Sequence, residues 1–541
     1  MRVLLINPFY PISETPSPPL GLSYLAGALS HAGVEVKILD LVVFPYSRSR
    51  LKTLIETFKP ALVGLTAVTM TFDNAMAVVK DLKGIDPDLL TVMGGPHVSF
   101  CAGETLENHP ELDVIAIGEG EHTIVDLCRT VDGGLGPAEV RGIVYRRGAE
   151  IHHTDPAEPI ENLDELPLPD RGLLPLGRYR ALKMPISITT SRGCPFKCIF
   201  CVGRKMVGAR VRYRSPVKVV DELQYLGTLN FSQINIADDL FTANKNHCLG
   251  VCNEIIKRGL RLTWTSFARV DTVSDEVLTR MKTAGCTAVS FGIESANPRI
   301  LKTIKKGITL DQVEAAVGMC QRAGITPFAS FILGLPGETP GTIKETMDFG
   351  ERLKHQGLAF GFHLLAPFPG TEIREKCDQY GIRILTDDWS RYHANRAIVE
   401  TPEVESRMLD DIVIEWENEY NQLLADIKER MQKKEASDED AQQVVNLERI
   451  VLIYDLMMKN AVEYNGFWPH EGRPVSRDDS LRKLADRISP SVDATPEMLA
   501  STLGHALREG NLTVSDKNGN IRWQWKDRLE PRRKSNPRRA Y

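Results

Sequence analysis

Two stretches of this chain alternate short apolar runs with amphipathic ones, and that alternation limits the fold more than any other feature. Between residues 1 and 150 the runs RVLLIN (2–7), VEVKILD (34–40), ALVGLTAV (61–68), LLTVMGG (89–95) and DVIAIG (113–118) read as strands, with helical segments such as GLSYLAGALSHAG and NAMAVVKDLKGIDP between them. Continuous apolar strands joined by amphipathic helices predict a parallel sheet covered on both faces. YRRGAEIHH (145–153) predicts a hairpin-like edge. Open sheets of this kind bind ligands beyond the carboxyl ends of their strands. Those ends carry Asn7, the segment Thr66 to Thr71 with Met70 in it, Gly94–Gly95–Pro96–His97 and Gly118–Glu119–Gly120–Glu121.

A proline-rich, acidic stretch (156–175) reads as a linker. Alternation then resumes with a longer period: ISITTS, QINIADD, LTWTSFA, AVSFGIES, PFASFILGLPG and AFGFHLLAPFPG, each with a helical segment to follow or precede it. Six such units predict a barrel or partial barrel whose chemistry lies at the carboxyl mouth of the strands. Beyond residue 370 the pattern changes to long helices, then a helix and a hairpin around Asn518–Gly519, then a basic tail. The expected division of this α/β chain is a Rossmann-like domain over 1–150, a linker over 151–183, a partial (β/α)6 TIM-like barrel over 184–375, and a mainly helical domain over 376–541 with a winged-helix-like end.

The first barrel strand runs into TTSRGCPFKCIFCVGRK, where Cys194, Cys198 and Cys201 are spaced C-x3-C-x2-C. Thiolates bind soft metals, and structural zinc sites and ordinary iron–sulfur cubes take four ligands. No second knuckle supplies a fourth. Cys248 and Cys252 lie on one face of an amphipathic helix and read as buried small residues, as do the scattered cysteines. The spacing therefore predicts a cluster on three thiolates with one iron open to a ligand. Gly193 and Pro195 provide the tight bend that aims three sulfurs at one region.

Composition sets the surroundings. A net charge of −5 gives no overall attraction to nucleic acid or membrane. No apolar run reaches the ~18 residues needed to span a bilayer. Ten cysteines without a disulfide-like framework fit a reducing, cytoplasmic setting.

The cysteine loop after the first barrel strand resembles the signature of the radical S-adenosylmethionine (SAM) enzymes, and further motifs follow in that family's order. The resemblance implies a [4Fe–4S] cluster on Cys194, Cys198 and Cys201, whose fourth iron is chelated by SAM. It implies SAM contacts from Phe200, the acidic pair Asp238–Asp239, Glu294 in GIES, Gly334 and Gly337 in FILGLPGE, and Arg269 in FARVD. Read alone, Asp238–Asp239 is also a helix N-cap, Glu294 a turn cap and GLPG an ordinary turn. In the N-terminal half, PPLGLSYLAGAL, GGPHVSF and DVIAIGEGE resemble the cobalamin-binding domain of the B12-dependent radical SAM class. That implies cobalamin contacts from Asn7, Thr66, Met70, Gly94, Gly95, Gly118 and Glu119. The D-x-H-x-x-G motif of B12 mutases is absent, since no histidine stands two residues after an aspartate. The lower cobalt face is then open or approached by Met70, and His97 reads as a turn histidine bonded to backbone.

The resemblance implies a C-methyltransferase acting on an unactivated carbon through methylcobalamin and a 5′-deoxyadenosyl radical. Its substrate is expected to be a small molecule or peptide, and its electrons to come from a flavodoxin or ferredoxin. Anaerobic ring cyclases and ring-contracting enzymes share the architecture and form the alternative. An RNA-modifying enzyme, argued from the winged-helix-like end and the basic tail, is the third reading. Trp264, Phe267, Phe362, His363 and Tyr392 either face substrate or fill core.

Overall fold

The structure, a computed structural model, describes residues 1–11, 16–470, 476–517 and 519–529. Asn518 of the expected turn and most of the basic tail lie outside the described residues.

Strands β1 (Arg2–Asn7), β2 (Glu35–Asp40), β3 (Leu62–Thr66), β4 (Leu90–Gly94) and β5 (Val114–Ala116) form a parallel sheet in the order β2-β1-β3-β4-β5. β6 (Ile143–Arg147) and β7 (Glu150–His153) extend it as the expected antiparallel edge. Side chains alternate across a strand. Val3 and Leu5 accordingly enter one buried cluster while Leu4 and Ile6 enter another, so both faces are covered by helices.

Six further strands form the second sheet: β8 (Ile186–Ile188), β9 (Ile234–Ile236), β10 (Trp264–Ala268), β11 (Cys286–Glu294), β12 (Thr326–Leu333) and β13 (Ala359–Leu364). They pair in sequence order and all in parallel, from β8 at one edge to β13 at the other. This is the expected partial barrel. The layer between this sheet and its helices is packed: Trp264 and Phe291 are buried, and the Trp264 indole N–H donates to the Ala284 carbonyl, at the end of helix Asp275–Thr283, at 2.8 Å.

The stretch read as a linker is packed instead. Ile160, Leu163, Leu174, Leu176 and Tyr179 are buried within it. Proline and acidic residues signal the absence of regular structure, yet apolar residues interspersed among them reach the core, Leu168 being an exposed exception. Its helix Leu176–Ala181 joins the three parts of the chain. Arg178 reaches Glu463 at 2.6 Å and Asp527 at 2.7 Å in the C-terminal region, and the Val43 carbonyl in the turn after β2 at 3.3 Å. Gly177 makes this approach possible, because a Cβ there would sit 1.6 Å from the Lys526 carbonyl oxygen. Gly177→Ala is expected to destabilise by about 1–3 kcal/mol, as overpacked sites do, read as a lowered denaturant midpoint.

The C-terminal region opens with helices Ser406–Lys433 and Asp438–Met458. After them come β14 (Phe467–Pro469), helices Arg477–Ile488 and Pro496–Arg508, β15 (Leu512–Lys517) and β16 (Asn520–Trp525). The sheet order β14-β16-β15, all antiparallel, is the winged-helix arrangement. No helix among the described residues is long and apolar enough to cross a membrane.

Candidate functional site

The cysteine segment lies between β8 and β9, at the barrel mouth. It is closed by an antiparallel pairing of Ser191–Arg192 with Arg212–Tyr213. All three thiols are free of disulfides, and Cys201 is exposed while Cys194 and Cys198 are half-buried. Burial pushes all three thiols above their ordinary value, and charge on Cys194 and Cys198 raises Cys201 further. They are thus neighbours. The Gly203 N–H donates to the Cys201 sulfur at 3.3 Å, which steadies a thiolate. Among the described residues no three Cys, His, Asp or Glu side chains converge on one ion. That donor set fits a cube, whose thiolates bind separate irons, better than a zinc ion.

Two cavities adjoin this segment. One, of about 380 Å³, opens at the carboxyl ends of β1, β3, β4 and β5. Thr66, Gly94, Gly95, Gly118 and Glu119 line it. Gly95 has φ +107°, and a Cβ there would lie 2.6 Å from the Ala67 carbonyl oxygen, so the sequence needs glycine to shape this wall. Asn7 is placed elsewhere. Its amide donates to Asp40 at 2.8 Å, and Asp40 also accepts from the Tyr179 hydroxyl at 2.8 Å, so Asn7 braces an interface. A strand-end asparagine looks the same in sequence whether it meets a ligand or a buried carboxylate.

The second cavity, of about 350 Å³, lies at the barrel mouth and is shared between halves of the chain. Tyr10 and Met70 come from the first domain, Phe200, Glu294, Ser330 and His363 from the barrel, and Tyr392 from the segment beyond it. Met70 therefore stands apart from the sheet-edge cavity and faces the barrel. Glu294 is held at φ +73° and receives Lys306 Nζ at 2.7 Å. Gly292 makes room for that carboxylate, since a Cβ there would lie 2.4 Å from its Oε1.

The acidic pair is divided by its surroundings. Asp238 is buried and accepts from the Thr190 N–H at 2.5 Å, the Thr190 hydroxyl at 2.6 Å and the Ser191 hydroxyl at 2.7 Å. It is filled by protein donors and fixes the strand that launches the cysteines. Asp239 lines the 380 Å³ cavity and accepts one long bond, 3.4 Å, from the Gly193 N–H. Burial raises both carboxyls. Arg269 is paired bidentately with Asp271 at 2.9 Å and lies over the Phe196 ring at 3.6 Å, so it supports the cysteine loop. Gly334 and Gly337 fall outside the lining of the second cavity. Gly334 faces Leu409 and its N–H is taken by Glu338 at 2.7 Å, so this turn packs against the C-terminal region. Of the four aromatics and one histidine singled out, His363 and Tyr392 line the cavity, Trp264 is core, Phe362 packs on Trp416, and Phe267 is exposed.

His97 is buried, bonded to the Thr69 hydroxyl at 3.3 Å, tilted against the Phe72 ring and edge-on to Trp389. Burial, helped by Arg374 and His109, lowers its pKa to about 4. A histidine whose folded pKa is depressed contributes stability above its unfolded value near 6.5, and loses it as pH falls to 4. His97→Phe is expected to remove up to about 3 kcal/mol of that acid sensitivity, measured by denaturation at several pH values.

The sequence profile of the Radical SAM superfamily matches residues 188–350, and that of the B12 binding domain matches residues 13–128. An uncharacterized methyltransferase of Pyrococcus horikoshii is 36% identical over 399 residues, which is 72% of this chain and 86% of that one. The chain belongs to the B12-binding radical SAM enzymes. The anaerobic magnesium-protoporphyrin IX monomethyl ester cyclase of Rubrivivax gelatinosus is 33% identical over 408 residues, 73% of this chain and 72% of that one. In fold, the chain is similar to the cobalamin-dependent SAM radical enzyme OxsB (TM-score 0.66, 18% identity), over 96% of this chain and 82% of that one. The cofactors of this radical SAM enzyme are a [4Fe–4S] cluster, SAM and cobalamin. The Met206–Val207 corner, described below, carried no signal in the sequence beyond its place after the cysteines.

Proposed function

We propose that the enzyme is a C-methyltransferase that acts on an unactivated carbon of a small molecule or peptide. What carries this reading is the shared 350 Å³ cavity, where Met70 and Tyr10 of the cobalamin-binding half face Phe200 and Glu294 of the barrel. A single substrate there meets both halves. Together the three cofactors supply a transferable methyl group and a hydrogen-abstracting radical. The chain's own residues do the rest. Cys194, Cys198 and Cys201 hold the cluster, Asp239 accepts from the SAM ammonium, and Glu294, steadied by Lys306, accepts from the ribose hydroxyls. Thr66, Gly94, Gly95 and Gly118 let backbone approach the cobalamin. The apolar flank of Leu365 and Phe368 excludes water from the reacting groups. A one-electron carrier such as flavodoxin or ferredoxin reduces the cluster from the side on which Cys201 is exposed.

The test is anoxic reconstitution with a dithionite or flavodoxin reductant, SAM carrying a labelled methyl, and candidate substrates. S-adenosylhomocysteine and 5′-deoxyadenosine formed together with labelled product support the proposal. 5′-Deoxyadenosine with an unmethylated product favours the cyclase-type reading, which the 33% identity to the Rubrivivax enzyme keeps in view. The nucleic-acid reading gains little from the winged helix. The exposed side chains of Pro496–Arg508 include Glu497, Met498, Ser501 and Arg508, not a basic row.

A further inference from the structure

The segment that carries the cysteines is also a wall of the sheet-edge cavity. Met206 and Val207, at the end of helix Gly203–Val207, line that cavity beside Gly118, where a Cβ would lie 3.9 Å from the Met206 carbonyl oxygen, and Arg192 lines it just before the cysteines. Residues 191–213 thus form one closed loop with two duties. The Ser191–Arg192 and Arg212–Tyr213 pairing joins its ends, and the Cys194 N–H donates to the Gly208 carbonyl at 3.1 Å inside it.

A single carboxylate spans the two duties. Glu119 accepts from Arg192 at 2.9 Å and from Arg212 at 2.7 Å. Arg212 also donates to the Val207 carbonyl at 2.7 Å, and Arg192 reaches Glu121 at 2.6 Å. The side chains are 4–14% exposed, so these pairs are little screened. Burial alone would raise Glu119, but Arg212 and Arg192 outweigh it and hold the carboxyl below its usual range. Gly193 gives the loop its bend: its φ is +114°, and a Cβ would lie 2.4 Å from the Arg210 carbonyl oxygen.

We infer that cobalamin and the iron–sulfur cluster bind cooperatively to this protein. Met206 and Val207 are cobalamin contacts contributed by the cysteine loop, and Glu119, Arg192 and Arg212 are positioning residues that carry the coupling. The inference rests on cobalamin occupying the sheet-edge cavity. Either cofactor orders the same 191–213 loop, so the second to bind finds its site already formed. Reciprocity requires each to tighten the other by the same factor.

The experiment uses the full wild-type chain under anoxia in two forms, iron-free and reconstituted with iron and sulfide. Hydroxocobalamin is titrated into each and followed by heat. Reconstituted protein is expected to bind at least about fivefold more tightly, and cobalamin is expected to slow iron removal by a chelator. In Glu119→Gln the ratio of the two dissociation constants is expected to fall toward one. Arg212→Lys keeps the charge but loses the fork that joins Glu119 to Val207, and an intermediate ratio is expected. Equal affinity of the two wild-type forms overturns the coupling and leaves the cavity assignment standing. No binding by either form overturns both. A wild-type ratio retained in both variants overturns the role of the Glu119 hub.

Discussion

Protein in which Cys198 is replaced by alanine is expected to release no 5′-deoxyadenosine above background and to retain no cluster iron after desalting. The same is expected for Cys194 and Cys201. The reason is arithmetic of ligands. The other seven free cysteines lie outside the 191–213 loop, five of them at Cys128, Cys248, Cys252, Cys286 and Cys320 in buried positions, so none stands ready to replace a lost thiol. Losing one leaves two anchors for a cube that already spends one corner on SAM. The variant itself should fold, because Cys198 is only half-buried and its sulfur makes a single long contact, 3.8 Å, to the Lys305 carbonyl. Cys248→Ala is the matched control. It lies in the barrel core at 0% exposure beside Cys252, so it should cost some stability and no iron. Iron content, violet absorption and low-temperature spin resonance of reconstituted protein check both. A Cys198→Ala protein that holds a full cluster and cleaves SAM would falsify the three-thiolate assignment.

The alternation of apolar runs carried most of the architecture into view because it reports packing directly. A strand buried on both faces has to be apolar along its buried length, and Val3 to Ile6 of RVLLIN are. The cysteine spacing was equally legible, since chemistry fixes how thiols must be strung to surround a cluster. What stayed hidden was which neighbour each polar side chain would meet. Asp238 and Asp239 are adjacent in sequence and opposite in role: one is filled by Thr190 and Ser191, the other faces a cavity. Adjacent residues at a strand end point to different sides, and only the fold says which side is occupied. Asn7 and Gly334 were drawn from the right strand ends, yet tertiary packing claimed them for Asp40 and Leu409. The linker reading failed on the same ground. Proline content reports backbone irregularity, not exposure, and Tyr179 is wholly buried.

Glu222→Ala is expected to destabilise the protein by about 3–5 kcal/mol, the cost of stripping one partner from a buried ion pair. Glu222 is 3% exposed and stands between two arginines, with Arg171 Nη2 at 2.7 Å from one carboxylate oxygen and Arg214 Nη1 at 2.7 Å from the other. Arg171 is already poorly satisfied, as its Nε and Nη1 have no partner and Nη2 alone serves Glu222 and the Ser187 carbonyl. Without Glu222, two desolvated cations face each other across the space that it filled. The effect should reach the cofactor. Arg214 also holds the Thr189 carbonyl at 2.8 Å and lies 3.4 Å from the Tyr24 hydroxyl, and Thr189 and Tyr24 line the sheet-edge cavity. Cobalamin affinity is therefore expected to fall together with the denaturant midpoint. Replacing all three members by apolar side chains of similar volume should recover much of the stability, because the penalty lies in the unpaired charge rather than in the loss of the triad. A Glu222→Ala midpoint shift worth under ~1 kcal/mol, the range of an exposed pair, would mean that water reaches this triad and that it does not brace the cavity wall.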